Sequence, residues 1–173
     1  DGGGSADKFL QHLNHLFDEE GVVFFLKFFA WIVQKPALVP GVCLVIGGDE
    51  GTGKTSLVEG VFKPMLGDLY DYTNNPKNDL FGQFAEKSHG RRLVVLNDAP
   101  SREMKGGAET FKCLITEPTV RYEKKGVQGL TLRNFTGYVI TTNSDDPIKI
   151  SASDRRYAML ETKNTLVKNF EYF

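Results

Sequence analysis

Apolar residues recur at helical spacing between Ala6 and Phe17, where Phe9, Leu10, Leu13, Leu16 and Phe17 share one face. The pattern predicts an amphipathic helix, and a second helix from about Asp18 to Gln34. Pro36 and Pro40 then bracket a linker that cannot continue it. Beyond the linker the periodicity changes. "VCLVIG" is short, continuous and rich in β-branched residues, as in a strand buried on both faces. Thr55 to Leu66 reads as a helix stopped by Gly67. "LYDY" is a short strand, and "DLFGQFAEK" predicts a short helix with Asp79 as candidate N-cap. "RRLVVLND" and "GYVITTNS" are two further buried strands, and "RRYAMLET" is a candidate fourth. "AETFKCLIT" is helical and closed by Pro118. After it, "TVRYEKKG" and "GLTLRN" alternate around a glycine-containing turn, the pattern of a β-hairpin.

This order of elements predicts an α/β fold with a largely parallel central sheet flanked by helices, a β-hairpin insertion and an N-terminal helical segment. Residues 1–5, "DGGGS", read as a flexible lead-in or linker, residues 6–40 as the helical segment, and residues 41–173 as the core. The chain stops at "VKNFEYF" with no closing element, so the core is expected to be truncated there. In parallel sheets ligands sit beyond the carboxyl ends of the strands. Three buried strands here end in polar residues: Asp49 to Thr55, Asn97 with Asp98, and Thr142 with Asn143. Their convergence would make a site.

Composition narrows the partners. An apolar fraction of 40% and a charged fraction of 25% are ordinary for a globular protein. A formal net charge of -1 rules out a wholesale basic coat, so any nucleic-acid contact must come from a local patch. Cys43 and Cys113 sit in apolar segments and read as buried thiols of a reducing, intracellular compartment. That would be the cytoplasm or nucleus of a host cell if the chain is viral. The run from Val22 to Val33 carries Lys27 and falls well short of the roughly 20 residues of a membrane-spanning helix. It reads as a core helix, and Phe24, Phe25, Phe28, Phe29 and Trp31 as core or a subunit face. His12 and His15 share a helical face but have no third ligand for zinc, and read as surface residues.

The chemistry begins at "GGDEGTGKTS". Gly48 to Thr55 fit G-x-x-x-x-G-K-[ST] without a gap, directly after a buried strand and before a helix. Gly48, Gly51 and Gly53 permit backbone angles at which successive N–H groups face one anion. The following helix adds its positive end, Lys54 can reach the β- and γ-phosphates, and the Thr55 hydroxyl can ligate Mg2+. Asp49, Glu50, Thr52 and Ser56 complete the loop that would hold ATP.

The other strand ends supply what phosphoryl transfer needs. Asp98, after four apolar residues, is a candidate carboxylate near the metal; Asn97 stands where a second acid is common. Asn143 offers one amide donor and one acceptor to a γ-phosphate or its water; taken alone it reads equally as a turn residue. Arg155 and Arg156 could stabilise transferred charge, in cis or from a neighbour, although alone they read as an ion pair with Asp154.

Taken together, "GDEGTGKTS", "LVVLNDA", "ITEPTVRYEKKG", "VITTNSDDPIKIS" and "SDRRY" resemble the superfamily 3 helicases. More narrowly, the set is similar to the C-terminal ATPase of poxvirus-type and phage primase-helicases, over about Phe9 to Glu161. The resemblance implies a P-loop NTPase of AAA+ type. Gly48, Gly51, Gly53, Lys54 and Thr55 would form Walker A, Asp98 the Walker B acid and Asn143 the motif C sensor. One of Arg155 and Arg156 would be an arginine finger reaching an adjacent subunit of a ring, usually a hexamer. The hairpin would engage DNA through Arg121, Lys124 and Lys125, and an aromatic there, Tyr122, can stack on a base. The bland alternative is a solvated hairpin tip. A primase domain would lie upstream, and the motor would act on single-stranded or forked DNA.

Two other readings stay open. Asn97 beside Asp98 favours a nucleotide-gated assembly module with weak hydrolysis. A packaging or initiator ATPase acting on duplex DNA is the third.

Overall fold

A computed structural model of the chain describes residues 6–82, 89–98, 100–122, 129–144 and 154–163. Helices α1 (Asp7–Leu16) and α2 (Glu19–Gln34) precede strand β1 (Cys43–Gly47) and helix α3 (Lys54–Leu66). Then come β2 (Tyr70–Thr73), α4 (Pro76–Asp79), β3 (Leu93–Asn97), α5 (Ser101–Gly106) and α6 (Ala108–Thr116). The hairpin strands β4 (Thr119–Tyr122) and β5 (Leu130–Arg133) lead to β6 (Gly137–Thr141) and β7 (Tyr157–Glu161).

Five strands form one parallel sheet in the order β2-β3-β6-β1-β7. Alternate residues of each strand point to opposite faces, which explains why the central strands are apolar throughout. Leu44, Ile46, Leu93, Val95 and Val139 pack against α1, α2 and α3, among Leu13, Phe25, Phe28, Ile32, Leu57 and Phe62. Cys43, Val45, Val94, Leu96, Tyr138 and Ile140 face the other way, onto Met104, Phe111 and Ile115 of α5 and α6. The result is three layers with the sheet in the middle, the α/β fold the periodicity predicts.

Caps account for the helix boundaries. Asp18 accepts the Gly21 N–H at 2.8 Å and starts α2. Gly67, at φ 52°, ends α3 where the sequence places its stop. The far end of α2 is closed by a buried side chain, Arg92, which is only 2% exposed. Its guanidinium donates to the carbonyls of Ile32 at 2.8 Å, Trp31 and Leu38 at 3.2 Å and Lys35 at 3.3 Å, and to that of Phe135. Burial lowers its pKa to about 10, so it remains a cation at neutral pH.

Several expectations are corrected. Asp79 is the last residue of α4 rather than an N-cap, and its carboxylate accepts the Thr73 hydroxyl at 2.5 Å. Pro76, pre-set for a first helical turn, starts the helix earlier than the apolar pattern does; Leu80 to Gly82 lie past its end, and 83–87 outside the described residues. Cys113 is exposed, because Phe111 and Ile115 occupy the inward face of α6; Cys43 is buried in β1. Leu10 and Trp31 also stand partly in solvent, at 37% and 39% exposure, while Phe25 and Phe28 are core. Helix α5 has no forerunner in the sequence reading. Among the described residues no helix is long and apolar enough to cross a membrane.

Candidate nucleotide site at the strand ends

All five strands of the sheet run the same way, so the carboxyl ends of β3, β6 and β1 lie side by side. Gly48, Gly51 and Gly53 follow β1 at φ of 133°, 81° and 97°, angles that L side chains rarely adopt. The loop runs directly into α3, whose free N–H groups add positive potential.

Lys54, the first residue of α3, is 5% exposed. Its ammonium donates to Asp49 O and Asn143 Oδ1 at 2.7 Å and to Gly48 O at 2.8 Å. Burial draws its pKa below the ordinary lysine value, and the charges of Asp98, Asp49, Glu161 and Glu50 pull it back up. The bond to Asn143, across 89 positions of sequence, joins the loop to the end of β6. Lys54, Asp98 and Asn143 therefore meet at one place.

The end of β3 contributes in a way the sequence reading only partly foresaw. The residue in contact with Thr55 is Asn97, whose Oδ1 accepts the Thr55 hydroxyl at 3.2 Å and that of Thr141 at 2.7 Å. Asp98 follows at φ 45°, the one described non-glycine residue in that region, with its N–H bonded to Thr141 O at 3.0 Å. A non-glycine residue held there carries local strain, of the sort that clusters at functional sites. Its exposed carboxylate is close enough to Lys54 to act on its charge. Thr55 Oγ1, Asn97 Oδ1 and the Asp98 carboxylate are hard oxygen donors, and they fit Mg2+.

The arginines are not part of this cluster. β7 starts at Tyr157, paired with Cys43, and ends at Glu161, paired with Gly47. Arg155 and Arg156 thus stand at the amino end of the sheet, roughly 15 Å of strand away from the loop. Arg156 pairs with Asp154 at 3.2 Å, and its buried Nε has no hydrogen-bond partner among the described residues; Arg155 is exposed.

The hairpin is present as antiparallel β4 and β5, from Thr119 paired with Arg133 to Tyr122 paired with Leu130. Arg121 is exposed on it, and Tyr122 meets His89 edge-on at 4.3 Å between ring centroids. Lys124 and Lys125 lie outside the described residues. Asn134, which no motif singled out, pins the base of the hairpin. Its Nδ2 donates to Leu114 O at 2.9 Å and Glu117 O at 2.8 Å, at the end of α6.

A family model described as "Family of unknown function (DUF5906)" matches residues 45–156, from β1 to the arginine pair. The chain belongs to this family. Among characterised relatives, the DNA primase-polymerase of Nitratiruptor phage NrS-1 is 27% identical over 153 residues, which cover 87% of this chain and 21% of that protein. An apo structure of the NrS-1 C-terminal region superposes with a TM-score of 0.83 at 25% identity, over 96% of this chain and 40% of that one. A second, A-form apo structure of the region gives 0.80 at 25% identity, over 97% and 40%. The JCV helicase shares the fold, with a TM-score of 0.54 at 16% identity over 94% of this chain and 47% of that one. This DUF5906 chain is similar to the C-terminal region of a phage primase-polymerase and shares its fold with the JCV helicase.

Proposed function

We propose that the chain is the ATP-dependent motor domain of a superfamily 3-like DNA helicase. The observation that carries this reading is the meeting of Lys54, Asn97, Asp98 and Asn143 at the ends of three adjacent parallel strands. In it, the loop from Gly48 to Ser56 holds the triphosphate through backbone N–H groups and Lys54. Thr55, Asn97 and Asp98 would hold Mg2+, which would neutralise charge on the phosphates. Asn143 orients the attacking water with its amide, and Asp98, the carboxylate whose charge acts most on Lys54, accepts the water's proton.

Arg155 and Arg156 are too far from their own loop to act in cis. The reading assigns them to a neighbour's site, which calls for a ring of copies, a hexamer by the family resemblance. Exposed Arg155 is the better finger, since Arg156 is tied to Asp154. The hairpin, with Arg121, Lys124 and Lys125, engages single-stranded DNA, and its anchor at Asn134 ties hairpin motion to α6. A primase domain upstream and a role in viral DNA replication accord with the NrS-1 relative.

Asn97 favours a second reading, a nucleotide-gated assembly module, because a neutral amide rather than a carboxylate sits against Thr55. Steady-state ATPase measurements with and without single-stranded, forked and duplex DNA separate the readings. The motor requires turnover that single-stranded or forked DNA raises. Negligible turnover unmoved by DNA supports the assembly module, and stimulation by duplex alone supports a packaging or initiator enzyme. Lys124→Ala with Lys125→Ala should flatten the salt dependence of DNA binding.

A further inference from the structure

Thr162 directly follows β7, and its N–H donates to Gly47 O at 2.9 Å. Its hydroxyl lies 3.1 Å from Gly47 O and 3.1 Å from Thr52 Oγ1. A threonine hydroxyl has one proton to give. Gly47 O already accepts the Thr162 N–H, and the Thr52 hydroxyl donates to Asp49 O at 3.0 Å. The arrangement that satisfies every group sends the Thr162 proton to Thr52 Oγ1. Thr52 is wholly buried, and its Oγ1 lies 3.4 Å from Lys54 Nζ, whose three protons go to the shorter contacts with Asp49 O, Gly48 O and Asn143 Oδ1. One chain of hydrogen bonds therefore runs from Thr162 through Thr52 to the Asp49 carbonyl, which also accepts from Lys54, and on from Lys54 to Asn143. It joins the ends of β7 and β6 across the loop that follows β1.

Packing reinforces the link. A Cβ built on Gly48 would collide with Thr162 Oγ1, so the loop's first glycine is required both by its φ of 133° and by this close approach. No local pattern marks Thr162; it is brought here by the parallel pairing of β7 with β1.

We propose that Thr162 is a positioning residue for the phosphate loop. Its hydroxyl orients Thr52, and through Thr52 it fixes the Asp49 carbonyl and the Lys54 ammonium that the triphosphate must meet. The proposal rests on the nucleotide site described above. Thr162 acts through Thr52 and is not itself catalytic.

The test is a titration of the full chain with a fluorescent ATP analogue and Mg2+, with melting temperature followed in parallel. Thr162→Val keeps the shape and removes the hydroxyl; it should weaken binding about tenfold, the loss of one hydrogen bond that orders a charged group. Thr162→Ser should bind within about twofold of wild type, because it restores the donor. Thr52→Val should lose about as much, and the double variant no more than Thr52→Val alone, since both residues act through one chain. Unchanged binding by Thr162→Val, or losses that add in the double variant, would overturn the proposal while leaving the nucleotide site in place. If Thr162→Val does not fold, Thr162→Ala against Thr162→Ser makes the same comparison, and equal affinities overturn it. No binding by the wild-type chain would remove the nucleotide reading and this proposal with it.

Discussion

The Thr55 hydroxyl donates to Asn97 Oδ1 at 3.2 Å, which places a neutral amide where a metal-binding carboxylate would be expected to face the helix start. The acid of the pair, Asp98, is one residue on and in a left-handed conformation. Asn97→Asp should therefore strengthen Mg2+-dependent nucleotide binding several-fold, because a carboxylate replaces an amide against the same hydroxyl. Asp98→Asn should weaken Mg2+-dependent nucleotide binding several-fold, because it removes a carboxylate from the metal site, and reduce turnover by at least about 100-fold, the usual worth of a general base. Nucleotide titrations over a range of Mg2+ concentrations, beside single-turnover assays, check both.

Lys54 and Asn143 make a second coupled pair. Lys54→Ala should abolish nucleotide binding and turnover, since it removes the only buried cation of the phosphate loop. Asn143→Ala should keep binding and lose turnover, because the amide's proposed work is on the water. Wild-type activity in Lys54→Ala would dismiss the phosphate-loop assignment. Separate Kd and kcat determinations make the distinction.

The position of Arg155 and Arg156 at the opposite end of the sheet yields a mixing experiment. Arg155→Ala should bind ATP and fail to hydrolyse it. Adding subunits that carry Lys54→Ala but intact arginines should restore turnover at the mutant's own sites, because each protein supplies what the other lacks. Failure of rescue by a correctly assembled mixture would count against action between subunits.

Arg92 predicts a stability effect with no direct part in the chemistry. Its guanidinium satisfies the carbonyls at the end of α2 and has no carboxylate among the partners given for it above. Arg92→Met would strand buried acceptors and should cost about 3 kcal/mol, with Arg92→Lys recovering only part, since an ammonium lacks the planar fork. Urea unfolding of the three proteins gives the measurement. Equal stability of Arg92→Met and wild type would show that water satisfies those carbonyls instead.

The amino-acid sequence by itself determined the local elements: α1 and α2, the buried strands, the glycine-rich turn with Lys54 and Thr55, and the hairpin strands around 119–133. Each follows from forces acting within a few residues, such as side-chain periodicity, glycine's access to positive φ and the limits proline sets. The three polar strand ends could be listed from the sequence, and their meeting was legible as an expectation. Which residue of the second end faces Thr55 was not, because that depends on the register of β3 against β6, with Asn97 opposite Thr141. Asp79, Cys113 and Leu10 went astray for a related reason: helical spacing marks an apolar face, whereas the neighbour that covers it, or a proline that starts the helix early, decides which residues are buried. Arg92 and Thr162 had no local signature at all. Their partners lie across 60 positions at Ile32 and 110 at Thr52, and only the packing of α2 beside the sheet and of β7 beside β1 brings them into reach.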